Sequence, residues 1–230
     1  MSEKYSISII LPVINEINSL IYTLKILKKI KEKKEFLIIY SKILTSKTNL
    51  AKLNKLKKND NSIKIYKQVK PYVGGAIMCG INKSKKKYIV IMASDLETNP
   101  HEVKRMIKLS KRNPRSIISA DRWISKGSFN NYGIVKFVLN FCFQKLIKLF
   151  YNFKILDFTF AFRLYPSDIL KKNKFIELRH GFALEMLLIP LRNSHKVITI
   201  PSKWKSRLEG KSSITLLSYI SYLKVLIRNL

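Results

Sequence analysis

Negative charge is what this chain has least of: 14 Asp and Glu stand against 45 Lys and Arg, for a formal charge of +31 over 230 residues. Three histidines, His101, His180 and His195, are scattered, and the two cysteines, Cys79 and Cys142, have neither metal-ligand nor disulfide spacing. Zinc chemistry and a disulfide framework therefore have no support, and the cysteine usage suits a reducing compartment. No uninterrupted apolar run reaches the roughly 18 residues of a spanning helix. The opening "MSEKYSISIILPV" enters a strand pattern directly, without a signal-peptide layout. Internal repeats and low-complexity linkers are also missing, and 47% of residues are apolar in short runs, which argues against disorder. One domain over residues 1–230 is the simplest organisation.

The basic surplus has two readings. Abundant Lys, Ile and Asn is what an AT-biased codon supply produces. A functional reading asks for an anionic partner, whether nucleic acid, a membrane headgroup surface or a phosphorylated substrate. Charge alone does not separate these.

Hydrophobic periodicity lays out the first hundred residues. "SISIILPVI" (6–14), "EFLIIYS" (35–41), "IKIYKQV" (63–69) and "YIVIM" (88–92) read as buried strands. Between them lie helical patterns: Leu20, Ile21, Leu24, Leu27 and Ile30 in the first, "SKTNLAKLNKLKK" in the second, and the stretch after Gly74-Gly75 in the third. This alternation predicts an α/β fold with a mostly parallel, doubly wound sheet. Further on, "PRSIISADR" (114–122) reads as a strand, and 134–151, "HGFALEMLLIPL" and 214–230 as helices. Within 134–151, Lys136, Asn140, Gln144 and Lys148 share one stripe of an otherwise apolar helix.

Two scarce acids follow the strand at 88–92, in "ASDLETNP". Ligands of open parallel sheets gather beyond the strands' carboxyl ends, and Asp95 sits there. Asp95 and Glu97 are close enough to share one hard cation, Mg²⁺ or Mn²⁺, that also holds a diphosphate. The alternative is that Asp95 caps the helix beginning near Pro100 or that both acids face water. Arg207 lies in "KSRLEGKSS" with Lys211, Ser212 and Ser213, a combination suited to phosphate oxygens and equally to a solvated basic loop.

Taken together these segments carry a resemblance. "SIILPVINEINSL" resembles the opening of family 2 glycosyltransferases, and "GGAIMCGINKSKKKYIVIMASDLETNP" is similar to that family's Gly-rich helix, strand, Asp-x-Asp and following Pro. "ADRWISKGS", "LDFTFAFRLYP", "HGFALEM" and "IPSKWKSRLEGKSS" then resemble, in order, motifs of the polyprenyl (dolichol) phosphate mannose synthase branch. The resemblance implies a GT-A fold, Rossmann-like, with amphipathic helices in the C-terminal half. Residues 1–100 would be the nucleotide-sugar half, 101–213 the acceptor half and 214–230 an amphipathic helix.

It also implies inverting transfer of a sugar from a GDP- or UDP-sugar to a lipid phosphate, at the cytoplasmic face of an anionic membrane surface. Pro12, Val13, Glu16, Gly75, Asp95 and Arg122 would border the donor, and Asp95 and Glu97 would hold Mg²⁺ or Mn²⁺. Lys136, Asp157, Arg163, Arg207, Lys211 and Ser212 would serve the acceptor phosphate, with Asp95, Arg122 and Arg207 carrying the chemistry. A membrane-anchoring partner enters because many relatives carry transmembrane helices after the catalytic part. An acceptor phosphate, with a second pKa of about 6, needs no dedicated base.

Three departures stand out. The first acid of Asp-x-Asp is Ala93, the acidic pair after the second strand is replaced by Ser41 and Lys42, and the last Lys of the basic motif is Ser213. Rival readings are a family 2 enzyme with another acceptor and a non-catalytic domain that binds a nucleotide sugar. A nucleic-acid-binding protein would leave the carboxylates at the sheet's ligand end unexplained and shows no recognition motif.

Overall fold

The computed structural model describes residues 5–125, 127–129, 132–209 and 216–230. Its first part alternates as the periodicity predicts: β1 (Ser6–Val13), α1 (Ile17–Leu27), β2 (Lys33–Tyr40), α2 (Lys47–Lys58), β3 (Ile63–Lys67), α3 (Tyr72–Lys83) and β4 (Tyr88–Ile91). Then come α4 (Glu102–Arg112), β5 (Ile117–Asp121), α5 (Ile134–Phe150), β6 (Arg163–Pro166), α6 (Ser167–Lys172), α7 (Phe182–Arg192), β7 (Val197–Pro201) and α8 (Leu216–Arg228). The strands form one sheet in the order β3-β2-β1-β4-β6-β5-β7. Pairing is parallel except where β6 runs antiparallel between β4 and β5. The α/β, mostly parallel expectation is borne out. Strands β6 and β7 went unassigned in the sequence because they are only 4 and 5 residues long, and β6 begins on an arginine.

Both faces of the sheet are covered, which is why its central strands are apolar on both sides. Ile7, Ile9, Leu11 and Val13 of β1 face Ile17, Leu20, Leu24 and Leu27 of α1 and Val103, Met106 and Ile107 of α4. Ile10 points the other way, into a cluster with Ala76 and Ile77 of α3, Ile169 of α6 and Met186 of α7. Helix α3 seats tightly: a β-carbon at Gly75 would stand 2.3 Å from the Lys70 carbonyl oxygen, so that glycine is fixed by backbone approach. A third cluster joins Phe143 and Ile147 of α5, Leu184 and Leu187 of α7 and Val225 and Leu226 of α8.

At the sheet's amino end, the buried Glu35 carboxylate accepts from Ser8 Oγ (2.6 Å), Lys64 Nζ (2.8 Å) and the Lys85 N–H (2.8 Å). It thereby ties three strands and the entry to β4. Burial pushes its pKa up, but these donors outweigh that and hold it below the usual value. Glu35→Ala is expected to cost about 2 kcal/mol, since it removes three hydrogen bonds and leaves the buried Ser8 hydroxyl without its acceptor; urea unfolding followed by circular dichroism measures it.

Candidate active site

Strand order reverses between β1 and β4, because β2 and β3 extend to one side of β1 and β4 lies on the other. The loops leaving β1 and β4 therefore meet at the crevice where such sheets take ligands. The loop after β1 folds onto itself: Glu16 accepts from the N–H groups of Ile14 (3.1 Å) and Asn15 (2.9 Å). Ser94 Oγ joins the two loops, 2.5 Å from the Pro12 carbonyl and 3.0 Å from Glu16 Oε1. Pro12 and Glu16 thus border this crevice, and Val13 is buried beneath it. Gly75 sits within α3 against Lys70.

The β4 loop holds Asp95 in a tight turn. Asp95 Oδ1 accepts from the Glu97 N–H at 3.1 Å, and the intervening Leu96 has φ of 67°. A left-handed leucine is a strained residue of the kind that persists where function demands a particular loop shape. Arg207 closes the loop from above, its Nε and Nη2 donating to Glu97 Oε1 at 3.0 and 2.8 Å, with Nη2 3.4 Å from Asp95 Oδ2. Burial, and then the neighbouring Glu97 charge, push the Asp95 pKa up to about 6 despite the guanidinium. Two crowded carboxylates at a ligand crevice suit a hard cation, which would relieve their repulsion. Asp95 and Glu97 would hold it, and Ala93 contributes no ligand. Among the described residues no three His, Cys, Asp or Glu side chains converge, so further ligands would come from substrate oxygens and water.

Residues after β7 act as a strap across the crevice. The Ser202 N–H donates to the Asp121 carbonyl (3.0 Å), Trp204 meets the Tyr132 ring edge-on (4.8 Å), and Arg207 reaches the acids. Glu209 then accepts from the Ser19 N–H (2.8 Å) and Asn18 Nδ2 (2.6 Å) at the start of α1. The sequence gives no sign of this tether.

A second polar centre lies under the strap. Arg122 donates from Nε to Asp157 Oδ2 (2.7 Å) and from Nη2 to Asp157 Oδ1 (2.9 Å) and Thr159 Oγ1 (3.0 Å). Its guanidinium lies 4.6 Å from the Phe160 ring centre, with Phe129 and Tyr132 at 5.6 and 5.8 Å. Both members of the pair are buried. Neighbouring Asp121, which sequence reasoning missed, is pushed up to about 6 by burial and then by the Asp157 charge.

From α5, Gln144 donates to Thr159 Oγ1 (3.0 Å) and accepts from the Phe158 N–H (2.9 Å), while Asn140 Nδ2 donates to Tyr132 (3.4 Å). Lys136 is half-buried on the same helix. Arg163 is fully buried and holds β6 to its neighbours, donating to Ser119 Oγ (3.0 Å), the Phe158 carbonyl (2.9 Å) and the Ala183 carbonyl. Lys211 and Ser212 lie outside the described residues.

Beside Arg122 opens a cleft of about 470 Å³, walled by Trp123, Ser128, Phe129, Tyr132 and Phe137 and reaching Ile134 at the start of α5. The indole N–H of Trp123 is buried without a hydrogen-bond partner among the described residues. The aromatic residues of this wall were not singled out in the sequence, since their spacing follows no periodic pattern.

The family description "Glycosyl transferase family 2" matches residues 8–173. Among solved structures, glucosyl-3-phosphoglycerate synthase from Mycobacterium tuberculosis, in complex with Mn²⁺, UDP and phosphoglyceric acid, is similar with a TM-score of 0.68 at 12% identity. That match covers 98% of this chain and 78% of that one. The same enzyme with Mn²⁺, UDP-glucose and phosphoglyceric acid gives 0.66 at 12% identity, over 98% and 79%. A structure described as a mycobacterial protein gives 0.70 at 12% identity, over 98% and 74%. At these identities the likeness establishes the fold, which is GT-A-like.

A raised Asp95 pKa disfavours the ionised, folded state, so its penalty is absent below the unfolded value near pH 4 and complete above about pH 6. Asp95→Asn should therefore raise stability by about 1–3 kcal/mol at pH 7, with the gain vanishing toward pH 4. Thermal unfolding of both forms across that range measures the difference. Mn²⁺ should raise the wild-type midpoint at pH 7 and leave the Asn variant unmoved.

Proposed function

Because the chain belongs to glycosyl transferase family 2, we propose that it is an inverting glycosyltransferase that moves a sugar from a nucleotide diphosphate sugar to a polyprenyl-type lipid phosphate. The observation that carries the acceptor assignment is the cleft beside Arg122, which sets a guanidinium paired with Asp157 and the Trp123 N–H against an aromatic wall. An amphiphile with a phosphate head fits such a wall better than a small polar acid does. The resemblance to the polyprenyl phosphate mannose synthase branch in "LDFTFAFRLYP" and "KSRLEGKSS" points the same way.

On this reading the donor diphosphate lies across the mouth of β1 and β4, near Pro12 and Glu16, with Arg207 turned from Glu97 toward phosphate oxygens. When bound at Asp95 and Glu97, Mg²⁺ or Mn²⁺ supplies positive charge to the diphosphate. The acceptor phosphate is largely dianionic at neutral pH, so its oxygen attacks the anomeric carbon directly. A C–O bond forms on one face as the bond to the diphosphate breaks on the other, inverting the centre, and the negative charge passes to the leaving group. Arg207, once turned to the diphosphate, stabilises that charge. Arg122, held by Asp157 through Nε and Nη2, directs Nη1 toward Tyr132 at the cleft, and Trp123 offers its N–H.

A second reading is favoured by the structural neighbours that hold phosphoglyceric acid: transfer to a soluble phosphorylated acid. Radiolabelled GDP-mannose and UDP-glucose, offered with Mn²⁺ and either polyprenyl phosphate or 3-phosphoglycerate, separate the two. Label entering the organic phase is the expected result; label only on phosphoglycerate would replace the lipid reading. Donor binding without transfer to either would make the domain a binding module. Arg207→Ala should lower kcat by about 10²–10³, with a smaller effect on donor binding, measured by single-turnover transfer.

A further inference from the structure

Helix α5 is inside out. Its polar stripe faces inward, where Asn140 and Gln144 are buried against Tyr132, Thr159 and the Phe158 N–H. Its outer face carries Ile134, Val138, Cys142 and Leu149, with Ile134 80%, Val138 50% and Leu149 79% exposed. The helix cannot roll to hide these side chains without stripping the inner groups of their partners, at a cost larger than the apolar exposure relieves. Exposed aliphatic residues on this scale mark a docking surface.

We infer that the outer face of α5 seats on a lipid bilayer carrying anionic headgroups. Charge selects this occupant. No Asp or Glu occurs between Trp123 and Leu156, or between Gly210 and Leu230. Lys145 is exposed within the apolar face and Lys148 flanks it, placed for their stems to lie along hydrocarbon while the ammonium groups reach headgroups. A second copy of the chain would bring another +31 to the same place, whereas an anionic bilayer supplies the opposite sign. Helix α8, which packs with α5 in one cluster, also exposes Ile220, Leu223 and Ile227 beside Lys224, while Arg228 pairs with Glu185. No helix among the described residues is long and apolar enough to cross a membrane, so the surface lies on the bilayer. This seating stands on the geometry of α5 and does not depend on which acceptor the enzyme uses.

The test is co-sedimentation with phosphatidylcholine vesicles, with and without phosphatidylserine and free of any polyprenyl phosphate. The wild type should pellet with the phosphatidylserine vesicles at low salt. Val138→Glu combined with Leu149→Glu should weaken partitioning by roughly tenfold or more, with circular dichroism and donor-nucleotide binding unchanged. Ile43→Glu, at an exposed site elsewhere, should leave it intact. In the unsubstituted chain, an environment-sensitive dye on exposed Cys142 (Cys79 being buried) should shift to the blue on adding those vesicles. Vesicle binding that survives the double substitution, or an unmoved dye, would overturn the inference. So would a wild-type dimer in ultracentrifugation that the double substitution dissociates, which would give the face to a second copy. Vesicle binding without lipid glycosylation would defeat only the acceptor reading.

Discussion

The grip of Arg207 on Glu97 and Asp95 is the interaction on which the rest of the site depends. A parallel sheet delivers the β4 loop into a buried crevice, and there two carboxylates, one of them 8% exposed, crowd each other. Without a cation, one would have to take up a proton. The guanidinium supplies the charge from a strap that is itself held at both ends, by β5 at Ser202 and by α1 at Glu209. In the proposed reaction, an arginine that turned toward a phosphate would leave both carboxylates uncompensated, which is where a divalent cation would take its place.

The Arg122–Asp157 pair obeys a different constraint. Removing both charges from water is costly, and the pair is tolerable because nearly every lone pair and proton nearby is used, by backbone N–H groups, Thr159, Tyr132 and the faces of three rings. That saturation fixes the orientation of the loop that walls the cleft. Helix α5 must then turn its amides inward to complete the network, and its aliphatic side outward follows as a geometric consequence.

Much of the α/β framework could be read from the chain because period-two and period-3.6 patterns are strong in β1 to α4. The site was legible where a rare residue type stood at a position of meaning, as with Asp95, Glu97 and Arg207. It was not legible where residues gain their role from distant partners. Ser94 matters because Pro12 and Glu16 come within reach of its hydroxyl, and Glu209 because Ser19 does. Arg163 shows the converse: its place in a recognisable motif suggested an acceptor contact, while the protein buries it among Ser119, Phe158 and Ala183. The stripe on α5 was visible, but its direction was not, since periodicity identifies faces without saying which one looks inward.

The tether between Glu209 and Asn18 spans 191 residues of sequence, and this bears on how the protein comes into being. During synthesis, β1 to β4 leave the ribosome with Asp95 and Glu97 in place and Arg207 still more than a hundred residues away. Until that segment arrives, the acids have no internal counter-charge and their loop is favoured in an open, hydrated form. The crevice is therefore among the last parts of the molecule to close, because it needs material from both ends of the chain. A polypeptide halted short of the strap would have most of its sheet but not the Arg207 and Glu209 contacts that complete the crevice.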